Sequence, residues 1–271
     1  KSLKGVIASI FYDYRILCPA MRACLNCGEE LQKNYCPNCG QSVNVGRITL
    51  GQLIHDLPHS VFHVDKGFLY NFFSLLRQPG KAIRDFLDGK RRPFFHPASY
   101  LVISLVINFL VVKILDLHFY FEDELGSMAP VEAKAIKDYD AMQWWFLEHT
   151  YIYILLAIPV STLFIFGIMK LMKQSYNIAE SAVIVLFTIA EGVLIQSTLY
   201  LCFGWIHSGP FLRSLETVNL IVLILYASCV IFQLLESNRN IFSRSVIALV
   251  SGFGLAVMWI ASAYALYLIM S

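Results

Sequence analysis

The chain has 271 residues, of which 57% are hydrophobic and 15% charged, with a formal net charge of +2 and a mean hydropathy of +0.61. A soluble domain of this length would carry about 25% charged residues, so the composition argues against a single water-soluble globule. Charge is also unevenly spread. Residues 1–96 hold 13 Lys+Arg against 7 Asp+Glu, a net +6, whereas residues 97–271 hold 8 against 12, a net −4. A basic, mixed region followed by long apolar runs predicts an all-α polytopic membrane protein with about five transmembrane helices, preceded by a small zinc ribbon and amphipathic interfacial helices.

Residues 1–21 read as an N-terminal extension without an apolar core and small-residue cleavage site, so no secretory leader is expected there. Residues 22–46 carry the strongest motif. Cys24-x2-Cys27 is followed, eight residues on, by Cys36-x2-Cys39. Two CxxC knuckles facing each other make a closed four-thiolate site, the geometry that Zn(II) accepts and a structural rather than catalytic metal prefers. Gly28 and Gly40 follow the second cysteine of each pair, where a tight turn needs positive φ. Two disulfides or a dithiol switch are the alternatives, and a cytoplasmic location disfavours the first. The expected cofactor is therefore structural Zn(II) on Cys24, Cys27, Cys36 and Cys39. Cys18 is read as a spare thiol.

Residues 47–96 form a basic connector. Apolar positions recur at helical spacing, and Pro58, Pro79-Gly80 and Gly89 break the stretch into short helices. Such helices suit a membrane surface, with Arg84, Lys90, Arg91 and Arg92 as candidate contacts to anionic lipid headgroups; packing on the membrane domain is the equal alternative. His55, His59 and His63 recur at i, i+4 and i+8, but Pro58 interrupts the register and no HExxH pattern appears. They are read as surface or packing histidines. The CxxCG…YCPNCGQ ribbon, the segment DKGFLYNFFSLLRQPGKAIRDFLDGKRRPFFHP and the apolar runs after it resemble an uncharacterised bacterial family, a domain of unknown function that joins a zinc ribbon to a multi-span membrane domain. The similarity spans about residues 24–105. It implies the architecture and lends no activity or catalytic residue.

Residues 97–271 are read as a membrane domain with spans at about 98–118, 150–170, 180–203, 216–236 and 245–269, each long enough to cross ~30 Å of hydrocarbon. Lys81, Arg84, Lys90–Arg92, Lys170, Lys173, Arg239 and Arg244 fall on one side. This predicts a cytoplasmic (inner) membrane protein with its N-terminus inside and its C-terminus outside. The segment 116–148 is expected to be a solvated acidic outer loop of net −6. Within the spans, Glu191 stands near the middle of the third, with Gln196 further along; buried carboxyls face a protein interior or a wet cavity. Glu191 is a candidate intramembrane functional residue together with Gln196, or else a brace hydrogen-bonded to Asn108 or Asn219. Glu180 and Glu216 are read as ordinary span-end acids. Ser251, Gly252, Gly254 and Ala256 predict a close-packing face.

Three functions follow. A docking, assembly or regulatory membrane protein would use the ribbon to meet a cytoplasmic protein partner. A small-solute or ion transporter would use Glu191, and a lipid-modifying enzyme would use polar groups at one interface. No nucleophile elbow, HExxH, GxGxxG or P-loop is present, so an enzyme is the weaker reading. Arg22 and Lys33 are balanced by Glu29 and Glu30, so no nucleic-acid partner is expected. The bilayer, anionic headgroups and a second copy of the chain remain candidate partners.

Overall fold

The computed structural model describes residues 22–31, 34–43, 45–55, 67–115, 117, 129–206, 208–235 and 240–270. His59, His63 and Cys18 lie outside them, as does the side chain of His55. The ribbon begins with β1 (Arg22–Ala23), paired antiparallel with β2 (Glu30–Leu31); a single bridge, Tyr35 to Ser42, holds the second knuckle. Extended chain then leads to α1 (Leu50–His55), opened by a reciprocal cap between Thr49 and Gln52. The connector forms α2 (Gly67–Arg77) and α3 (Pro79–Leu87), the latter started by a proline at its first position.

Among the described residues, five helices have the length and composition of membrane spans: α4 (Pro97–Leu115), α6 (Thr150–Leu171), α7 (Ile178–Phe203), α8 (Gly209–Leu234) and α9 (Ile241–Met270). The protein is a multi-pass helical membrane protein. Its central helix is α7: 83% of the apolar stretch of α7 is buried, against 22–44% in the other four. α4 and α6 pack along α7, α9 packs on α6 and α8, and α3 lies across the ends of α7 and α8. Small residues allow the close approaches. A Cβ on Gly252 would stand 2.1 Å from Ser228 Oγ on α8, and one on Gly254 would stand 2.8 Å from the Phe164 ring on α6. Ser251 is buried as well, so three of the four residues of the expected packing face meet neighbouring helices.

Two segments differ from the sequence expectation. Residues 130–148 of the acidic loop form a further helix, α5 (Pro130–Glu148), which runs into α6 with only His149 between them. Its proline start and regular apolar positions outweigh its charge, and Trp145 stacks on His149 at 4.4 Å and packs edge-on to Tyr267 of α9 at 5.5 Å. The fourth span begins at Gly209, seven residues ahead of the expected 216. Gly209-Pro210 is a good helix start, and Arg213, Ser214, Glu216 and Thr217 hide it from a hydropathy reading. Glu216 thus stands inside the helix.

Candidate functional site

The four cysteines come together in two copies of one turn. Cys24 N donates to Glu29 O and Gly28 N to Cys24 O, each at 2.8 Å; twelve residues later Cys36 N donates to Gln41 O at 2.8 Å and Gly40 N to Cys36 O at 2.9 Å. Gly28 and Gly40 have φ of +78° and +73°, the left-handed conformation that closes each turn. The Cys24–Cys39 and Cys27–Cys36 sulfurs are 3.6 and 3.5 Å apart, and all four lie within 4.8 Å of one another. A tetrahedron with ~2.3 Å metal–sulfur bonds has edges of about 3.8 Å, so this cluster can hold a metal ion. Its thiols ionise unequally. Cys27 is favoured by the Glu29 backbone, yet desolvation and the neighbouring thiols push it up to about 12. Cys39 is opposed by desolvation but drawn down to about 6 by hydrogen bonds from Asn26, Gln41, Cys24 and Cys27. Cys39 therefore loses its proton readily, whereas Cys27 needs a nearby cation to be held as a thiolate.

The cluster is fixed to the connector. Gln41, 5% exposed, donates to Gly89 O at 2.8 Å and accepts from Arg91 N and Arg92 N at 3.1 Å each. Gly89 has φ +104°, and a Cβ there would meet Leu25 Cδ1 of the first knuckle at 2.6 Å. The basic residues also bond to the protein. Arg92 Nε donates to Cys39 O at 3.1 Å, and Arg91 Nη2 donates to Gly46 O at 2.6 Å while lying over Phe86. Lys90 pairs with Asp85 at 2.6 Å, and Arg84 donates to Gln233 O at the end of α8. These four candidates for lipid headgroups thus each also bond to the protein, contacts that a reading of charge alone could not reveal.

A second clamp joins the chain directly after the ribbon to α7. Arg47 donates Nε to Glu180 Oε1 at 2.9 Å, Nη2 to Glu180 Oε2 at 2.7 Å, and Nη2 to Ser175 O at 2.6 Å. Glu180 also closes the capping box of α7 with Asn177, whose amide donates to Ile48 O at 3.2 Å. The span-end reading of Glu180 missed this. The signal was present in the N-x-x-E pattern before an apolar run, a helix-start signature.

The connector meets α4 at an aromatic hub. Asn71, fully buried, donates to Phe95 O at 3.3 Å and accepts from Phe95 N at 3.0 Å. A Cβ on Gly67 would be 3.2 Å from Pro93 O and Phe95 N. Phe68 packs on Tyr100 with centroids 5.1 Å apart, and Phe86 meets Phe94 at 5.9 Å and Phe187 at 5.2 Å. Glu191 lies beside this hub, fully buried, and accepts a 2.5 Å hydrogen bond from Tyr100 OH; its other oxygen has no partner among the described residues. Neither asparagine expected as its partner fills that role: Asn108 donates to Ser197 Oγ at 3.1 Å. Gln196 stands five residues further round α7 and faces a separate cavity. There it donates to Tyr200 OH at 3.0 Å, and Tyr200 donates to Glu216. Glu191 and Gln196 therefore belong to different sites, and Glu216 joins the second.

Residues 65–109 match the family described as a protein of unknown function (DUF3667). That stretch is α2, α3, the RRPFFHP turn and most of α4, the parts that build the hub; the ribbon lies outside it. No curated protein and no solved structure matches the chain.

Proposed function

We propose that the protein is a bacterial inner-membrane protein whose cytoplasmic Zn(II) ribbon is a docking and regulatory platform held rigidly on the five-span bundle. The carrying observation is the double attachment, of the ribbon through Gln41 to the Gly89–Arg92 turn and of the residue that follows it, Arg47, to Glu180. A flexible tether needs neither. Tyr35, 65% exposed, and the exposed Cys27 leave ribbon surface open to meet a cytoplasmic protein. Four thiolates leave no open metal position, which suits a structural zinc. Basic side chains gather at the ribbon end, and this supports an N-inside, C-outside orientation.

Glu191 in this reading is a brace between α7 and α4. Its hydroxyl partner, complete burial and position against the aromatic hub favour that role over a translocation step. The test is complementation of a strain lacking the protein, with membrane abundance matched. Cys36→Ser plus Cys39→Ser should fail and Glu191→Gln, which keeps an acceptor for Tyr100, should work. The reverse result would overturn the docking reading in favour of transport.

A further inference from the structure

The helices around α7 pack unequally. α4 and α6 follow it closely and α8 follows α9, but α7 and α8 meet over little of their length. Between them, flanked by α5, α6 and α9, lies a cavity of about 470 Å³, within the ~300–1,000 Å³ range of small-molecule sites. Its wall is largely hydrocarbon, with Ile165, Ile189, Leu223, Leu255 and Ile260 among the lining residues. Polar groups gather toward the end remote from the ribbon: Gln143 from α5, Gln196 from α7, and Glu216, Thr217 and Asn219 from α8. Deeper polar groups are already engaged, since Thr188 bonds back to Ile184 O and Ser161 takes the Trp259 indole N–H.

Asn219 is different. It is 3% exposed, lines the cavity, and its carbonyl Oδ1 has no hydrogen-bond partner among the described residues. It lies ten residues into α8, at ~1.5 Å per residue some 15 Å from the helix start, within a helix long and apolar enough to cross a membrane. An amide oxygen left unmet at that depth is strongly disfavoured unless something donates to it. The cavity next to it can hold such a donor, and the Glu216 carboxyl three residues away, which accepts from Tyr200, offers the head oxygens and no cation.

We infer that this cavity binds a single-chain amphiphile, with a hydroxyl-bearing, non-anionic head donating to Asn219 Oδ1 and its chain along the wall of α6, α7 and α9. Monoacylglycerols and long-chain prenyl alcohols share this chemistry. An acyl or prenyl tail matches the apolar wall, and the head finds further partners in Gln196 and Glu216. The site is independent of the metal cluster, which lies at the other end of the bundle.

The test uses the full-length protein in phosphatidylcholine nanodiscs, with a monoacylglycerol carrying a photoreactive diazirine in its chain. Labelled peptides should come from 188–196 and 219–227. Unlabelled monoacylglycerol or a prenyl alcohol should compete, the stronger competitor naming the head and tail class, whereas phosphatidic acid of equal chain length should not. Asn219→Leu should reduce labelling about tenfold, as expected for loss of a buried acceptor, while leaving the thermal midpoint unchanged or higher. Ala256→Phe, which fills the cavity from α9, should abolish labelling even if Asn219→Leu proves unstable. Labelling confined to outward-facing residues such as Leu163 and Phe253, or insensitive to Ala256→Phe, would overturn the proposal, as would equal competition by phosphatidic acid.

Discussion

The two ends of the bundle solve the same packing problem differently. At the ribbon end, directional contacts fix each approach: Asn71 grips the Phe95 peptide, Gln41 grips the Gly89–Arg92 turn, and Gly80 lies so close to α8 that a Cβ would come within 2.3 Å of Gln233 Cβ. At the other end α7 and α8 part around a cavity, and the polar groups there face a space. In lipid, apolar surface alone gives helices little reason to associate, so positions set by hydrogen bonds and small residues are the ones that hold. The tight end reads as scaffold and the loose end as the place with room for a ligand.

Substitutions should separate the two ends. The largest effect is expected from Cys36→Ser plus Cys39→Ser. Zinc binding supplies ~10–16 kcal/mol in comparable peptides, so the ribbon should unfold, lose its metal and become open to limited proteolysis between residues 31 and 47 while the bundle stays intact. Next come the tight-end contacts. Asn71→Leu leaves a buried N–H and C=O unmet at ~1–3 kcal/mol each, and Gly80→Ala overpacks α3 against α8 at a similar ~1–3 kcal/mol. Both should lower the thermal midpoint in detergent. Tyr100→Phe strips Glu191 of its donor and should destabilise by about 1–3 kcal/mol, with Glu191→Gln much milder. Arg47→Met is smaller still. The Arg47 side chain is 63% exposed, so solvent screening keeps the pair weak; faster amide exchange over 45–53 is the sensitive readout. Gly192→Ala on the cavity side should go the other way. Its Cβ meets only the flexible end of Leu223 at 3.2 Å, and alanine favours a helix interior by ~0.5–1 kcal/mol. Destabilisation there as large as at Gly80 would erase the contrast between the ends.

What the sequence made legible was local. CxxC spacing, the paired glycines and five apolar runs each lie within one segment, and each has its counterpart in the structure. What it hid was long-range. Arg47 and Glu180 are 133 residues apart, Tyr100 and Glu191 are 91 apart, and no spacing rule joins them. The same limit explains the basic connector: charge alone left headgroup binding and packing equally open, and the hydrogen bonds of Arg91 to Gly46 O and Arg92 to Cys39 O appear only in the fold. Glu216 and α5 were hidden for another reason, because charged residues in a helix mask it from a hydropathy window. Glu216 was read as a span-end acid, yet it sits seven residues inside α8.

The most direct test of the docked, metal-built ribbon is amide exchange at Arg91 and Arg92, whose N–H groups both donate to Gln41 Oε1. Exchange would be measured on the purified protein before and after a zinc chelator. If the ribbon is a rigid platform, chelation accelerates exchange within 22–43 and at these two connector amides together, and zinc restores both. If the ribbon amides accelerate while Arg91 and Arg92 stay protected, the ribbon is a tether whose folding the bundle does not feel, and the platform account is wrong.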